Sequence, residues 1–221
     1  TAGFTLGTLP SVWLNEIQPN NVTGLQDRMG DRDPWVELFN SGSNSADLTG
    51  FYLSDTYTNL TKWPFPASTT LASKQFRLVW LDNEPGETGG GELHANFRAS
   101  PTNGSVVLSR VSGSVTTIVD FLNFGPINND RSYGAWPDGA PAKRQKFYYA
   151  TPGATNNPGW PSAPVYINEW MAGNNGTLAD PADGDWEDWF ELYNDGPVDV
   201  DLSGYILADD LPSPTQWTIP A

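Results

Sequence analysis

The run Trp35-Val36-Glu37-Leu38-Phe39-Asn40 is followed by Asp47-Leu48-Thr49-Gly50-Phe51-Tyr52-Leu53-Ser54-Asp55 and then by Trp63-Pro64-Phe65-Pro66-Ala67. It returns later in the same chain as Trp189-Phe190-Glu191-Leu192-Tyr193-Asn194, Asp201-Leu202-Ser203-Gly204-Tyr205-Ile206-Leu207-Ala208-Asp209 and Trp217-Thr218-Ile219-Pro220-Ala221. From Asp33 to Ala67 the offset is a constant 154, with no gap and fourteen identities in 35 positions. Upstream, Val12-Trp13-Leu14-Asn15-Glu16 matches Val165-Tyr166-Ile167-Asn168-Glu169 at an offset of 153, so the following loop is one residue longer in the second copy. Self-similarity at a fixed spacing marks a duplicated structural unit.

Around this repeat the chain reads as strands. Apolar and polar residues alternate over Val12–Ile17, Trp35–Asn40, Gly50–Leu53, Phe76–Leu81, Val106–Val111 and Thr116–Phe124, with Gly, Asn, Asp, Ser and Pro clusters between them. No stretch keeps a helical apolar period for three turns. In the first run, alternation places Val12, Leu14 and Glu16 on one face and Trp13, Asn15 and Ile17 on the other. The expected fold is all-β, an immunoglobulin-like antiparallel sandwich in two tandem copies. The expected division is an N-terminal extension over 1–10, a complete sandwich over 11–157, a Pro-rich linker over 158–164 and a partial second sandwich over 165–221. The second copy ends before counterparts of the last three strands, so the sequence is expected to be an excerpt of a longer protein. The alternative is completion in trans by a donated strand, for instance the Phe4, Leu6 segment of a neighbour.

At the quoted residues the chain resembles the lamin tail domain family in its bacterial secreted form, the immunoglobulin-like module of nuclear lamins and of many exported bacterial proteins. The likeness includes Leu14-Asn15-Glu16 and continues through Ser132-Tyr133-Gly134, Pro137-Asp138-Gly139 and Thr151-Pro152-Gly153-Ala154-Thr155-Asn156. The bacterial form often carries an arginine just after Ser-Tyr-Gly, where this chain has Ala135. The resemblance implies a compact β-sandwich with a non-catalytic role in a surface or exported protein, and it implies no particular ligand.

Composition narrows the function. The 221 residues carry 26 acidic against 11 basic side chains, a formal charge of −15, and no cysteine. That charge opposes nucleic-acid binding, and the only tight basic cluster is Lys143, Arg144, Lys146. Disulfides and thiolate metal sites are excluded, and the lone His94 cannot build a multi-histidine centre. No apolar run approaches the roughly 18 residues of a membrane span. Ten Trp, ten Phe and eight Tyr belong to a folded, turn-rich protein.

Several residues invite a chemical reading. Asp180, Asp183, Asp185, Glu187 and Asp188 crowd one loop of the second copy and suit calcium, which takes six to eight oxygen ligands. The solvated acidic loop is the competing reading. Asp27, Asp31 and Asp33 occupy the equivalent loop of the first copy, diluted by Arg28 and Arg32. Trp136 and Trp186 lie outside the strand pattern and are candidates for stacking on sugar rings, whereas Trp35 and Trp63, with Leu38 and Leu53, are expected in the core. Glu16 and Glu37 sit where strands expect apolar residues; they either accept backbone N–H bonds or form a glycosidase-like acid/base pair. Their recurrence in both copies favours the first role. The expected function is a non-enzymatic structural or adhesive module of an extracellular or cell-surface protein, whose partner is a protein, a surface glycan or a second copy joined through the incomplete domain. A carbohydrate-binding accessory module is the alternative.

Overall fold

The computed structural model describes residues 11–159, 164–196, 199–210 and 217–220. The extension with Phe4 and Leu6, and the linker residues 160–163, lie outside the described residues. The chain divides into two compact units, Thr1–Trp160 and Pro161–Ala221.

The first unit contains β1 (Val12–Gln18), β2 (Trp35–Asn40), β3 (Ala46–Asp47), β4 (Phe51–Ser54), β5 (Trp63–Pro64), β6 (Thr70–Leu71) and β7 (Phe76–Trp80). After a 3-10 turn at Pro85–Glu87 come β8 (Gly104–Ser112), β9 (Val115–Phe124), β10 (Ser132–Ala135) and β11 (Arg144–Phe147). A five-stranded sheet in the order β11-β10-β1-β2-β7 and a four-stranded sheet in the order β5-β4-β8-β9 form the two layers. Every pairing within them is antiparallel. Val12, Leu14, Ile17, Val36 and Leu38 from the first layer meet Leu53, Val106, Leu108 and Leu122 from the second in one buried cluster. Each such side chain contributes roughly 1.5–3 kcal/mol on burial. Chain alternation is visible in β9, where Asp120, Leu122 and Phe124 are buried and Phe121 and Asn123 are exposed, as in an antiparallel sheet wetted on one face.

The first strand departs from simple alternation. Leu14 pairs with Leu38 and Glu16 with Glu37, so Asn15 is an extra residue in a β-bulge. The bulge reverses the parity: Ile17 joins Val12 and Leu14 in the core, and Glu16 does not. This corrects the expected grouping of Glu16 with Val12 and Leu14. Glu16 and Glu37 therefore lie side by side on the face turned from the apolar cluster. Trp35 is on that same face of β2, fully buried, with its indole N–H donating to Gln18 Oε1 at 2.7 Å. Trp63 is buried in the core beside Phe65, ring centroids 5.0 Å apart.

Two polar devices tie the unit together. Asp120 of β9 receives both bonds of the Arg144 Nη2 group at 2.7 Å and also the Leu14 N–H at 2.9 Å, which links the two sheets through one buried carboxylate. Arg144 stands opposite Ala135 in the β10–β11 pair. The Asp47-Leu48-Thr49-Gly50 turn closes as expected, with Thr49 N–H on Asp47 Oδ1 at 2.9 Å and Gly50 at φ +79°.

The second unit contains β12 (Val165–Met171) paired with β13 (Trp189–Asn194), and β14 (Ile206–Leu207) paired with β15 (Trp217–Thr218). Its local geometry matches that of the first unit. The β12–β13 register shifts between Ile167 and Glu169. Ser203 N–H bonds Asp201 Oδ1 at 2.9 Å, and Gly204 has φ +81°. Asn174 Nδ2 reaches Leu178 O and Glu187 O, as Asn21 Nδ2 reaches Leu25 O and Asp33 O. The extra residue of the second copy falls inside this loop: Asp27 N–H bonds the carbonyl of Asp31, whereas Asp180 N–H bonds that of Asp185.

Candidate functional site

The bulge at Asn15 aims two carboxylates at a segment far along the chain. Glu16 Oε1 accepts the Ser132 hydroxyl at 2.5 Å, and both its oxygens accept the Thr151 N–H, at 3.2 and 3.1 Å. The Thr151 hydroxyl adds a bond to Oε2 at 3.1 Å. Glu37 Oε2 accepts the Gly153 N–H at 2.5 Å. Asn156 completes the grip by donating to the Asn15 and Ala135 carbonyls at 3.1 and 2.8 Å, while its own N–H bonds Asp138 Oδ1. Asn15 in turn donates to Asp138 Oδ1 and accepts the Gly139 N–H, both at 3.1 Å. Residues 151–156 are thus fastened across β1 and β2 by a polar clasp.

Glu16 and Glu37 are both 0% exposed. Burial pushes the Glu16 carboxyl up to about 7 against the bonds from Ser132 and Thr151, which favour the charged form. Burial likewise pushes Glu37 up to about 8, and the neighbouring Glu16 charge adds to the rise. Glu37 Oε1 has no hydrogen-bond partner. A glycosidase pair must face a sugar and a water; these two carboxylates are instead roofed by backbone and hydroxyl donors. Their chemistry is that of acceptors that hold a loop.

The same three residue types recur in the second unit as Asn168, Glu169 and Glu191, all exposed. Asn168 Nδ2 donates to Glu191 Oε1 at 2.5 Å. Strand positions that form the core of the first unit also face outward here: Ile167, the counterpart of Leu14, is 61% exposed, and Trp170, the counterpart of Ile17, is 73% exposed. Val165, Leu192, Leu207 and Ile219 line an apolar hollow of about 230 Å³ beside Ile167 and Ile206.

In the acidic loop, single oxygens of Asp180, Asp183 and Glu187 come within 4.8 Å of one another, all three residues being exposed. Asp188 is directed elsewhere, its Oδ1 accepting the Gly173 and Asn174 N–H groups at 2.7 and 3.2 Å. Asp185 lends its backbone to the loop: its N–H bonds Asp183 Oδ1, and its carbonyl receives the Asp180 N–H. Trp136 belongs to the first unit and Trp186 to the second, and both are exposed, at 36% and 49%.

Sequence reasoning singled out Glu16 and Glu37 but not their partners, since Thr151 and Gly153 are more than a hundred residues away. Thr151-Pro152-Gly153-Ala154-Thr155-Asn156 stands in the sequence as a motif of the family resemblance, without a signal of what it contacts. A model of the Lamin Tail Domain family matches residues 8–125. No curated protein and no solved structure matches the chain.

Proposed function

The chain belongs to the lamin tail domain family of non-enzymatic immunoglobulin-like modules, and we propose that it is a structural or adhesive module of an exported or cell-surface bacterial protein, acting by assembly rather than by catalysis. In this reading the second unit repeats the first, as the shared bulge, turn and Asn174 loop support. The observation that carries the proposal is the exposed apolar face of β12 and β13, in which Ile167 and Trp170 stand where the first unit buries Leu14 and Ile17. An apolar face of this kind is an interaction surface. The occupant we assign is the same face of a second copy, a self-complementary contact of two-fold type.

Light scattering of the full chain tests this. Self-association is expected, and it should strengthen with salt because each copy carries a charge of −15. Ile167→Glu with Trp170→Glu should leave a monomer with an intact first unit. A full chain that stays monomeric at all concentrations and salts contradicts the proposal. The second reading, a carbohydrate-binding module, draws on the exposure of Trp136 and Trp186. A glycan array supports it if selective binding is lost on changing either indole to Ala, and calcium titration of the same material tests the loop at Asp180, Asp183 and Glu187.

A further inference from the structure

The β1–β2 loop and the segment after β7 bring together side chains that the clasp does not use. His94 is fully buried, its ring stacked near Trp80 with centroids 6.3 Å apart. Its Nδ1 lies 2.5 Å from Oδ2 of the buried Asp82. A carboxylate in that position orients the ring, as it does for metal-bound imidazoles. Nε2 is buried and has no hydrogen-bond partner. Two carboxylate oxygens are in the same condition, Asp27 Oδ2 and Glu87 Oε2. The other Asp27 oxygen is already engaged by the Met29 and Asp31 N–H groups, each at 2.9 Å, so the residue is held while Oδ2 stays available.

One ligand atom from each of Asp27, Glu87 and His94 falls within 4.8 Å of the others. Glu87 Oε2 is 4.0 Å from His94 Nδ1, and Glu92 Oε2, which accepts the Arg28 N–H at 3.1 Å, is 3.6 Å from His94 Nε2. Buried polar atoms without partners are costly, and here three of them belong to groups that bind cations.

We propose that Asp27, Glu87 and His94 form a binding site for a divalent transition ion, zinc foremost, with Asp82 as the residue that orients the imidazole. An imidazole nitrogen argues against calcium, which takes oxygen ligands, while one nitrogen with carboxylate oxygens is within the range of zinc. The three protein ligands join the β1–β2 loop to residues 85–94, and water completes the coordination. In the second unit the counterpart of Asp27 is Asp180, whose cluster with Asp183 and Glu187 is exposed and includes no imidazole.

The full chain, stripped with a chelator and free of any affinity tag, is titrated with zinc by calorimetry, and its cobalt form is examined by visible spectroscopy. One zinc per chain, a higher melting temperature and the intense band of a four-coordinate cobalt site are expected. Glu87→Gln, at a side chain 28% exposed, should weaken zinc by about tenfold or more. Asp180→Asn should not alter it. The proposal is overturned by the absence of any zinc-dependent shift, by unchanged affinity in Glu87→Gln, by loss of binding in Asp180→Asn, or by calcium binding more tightly than zinc at the same residues.

Discussion

Asn15 occupies a bulge, and that single extra residue decides the chemistry of its neighbours. Without it Glu16 would point into the apolar cluster beside Leu14; with it Glu16 and Glu37 share the clasp over residues 151–156. Their pKa values set a pH dependence with a definite sign. Folding raises Glu16 to about 7 and Glu37 to about 8 from an ordinary value of 4.5. Between those limits the folded chain binds more protons than the unfolded chain, so stability falls as pH rises. These groups give their full contribution below about pH 4.5 and lose it as the pH climbs through 7 and 8. Thermal unfolding of the first unit should therefore show a midpoint that drops between about pH 5.5 and pH 8.5. Glu37→Gln keeps an acceptor for the Gly153 N–H and should flatten that slope. A midpoint that rises over the same range contradicts the assignment.

Among the strands, legibility follows side-chain pattern. β1, β2, β4, β8 and β9 each place a row of apolar residues in the core cluster, so alternation announces them, while β7 contributes Val79. β10 and β11 are four residues each, Ser-Tyr-Gly-Ala and Arg-Gln-Lys-Phe, and carry no such row. They exist because β10 pairs with β1 and β11 pairs with β10, a tertiary cause that local sequence does not contain. Gly134 shows how close that pairing is: a Cβ there would lie 2.2 Å from the Asn15 carbonyl oxygen. Gly134→Ala should cost roughly 1–3 kcal/mol through overpacking, measured as a shift in the urea midpoint. A neutral substitution would show that β10 can withdraw from the bulge. His94 was legible only as an exclusion, because a solitary histidine in the sequence says nothing about the carboxylates that Asp27, Asp82 and Glu87 bring to it.

Across the whole chain, the repeat at an offset of 154 was the most informative feature, and the two units express it differently. The first closes its strands with a second sheet and the clasp; the second presents the same strand positions to solvent. The charge of −15 is consistent with assembly that salt promotes, and it keeps separate chains apart when ions are scarce. Hydrogen–deuterium exchange of the full chain over a range of concentrations separates the two behaviours most directly. Amides of β1 and β2 should be protected equally at every concentration, whereas those of β12 and β13 should exchange rapidly in dilute solution and become protected as copies associate. Protection in β12 and β13 that matches the first unit in dilute solution, or that never changes with concentration, would contradict assembly through the second unit.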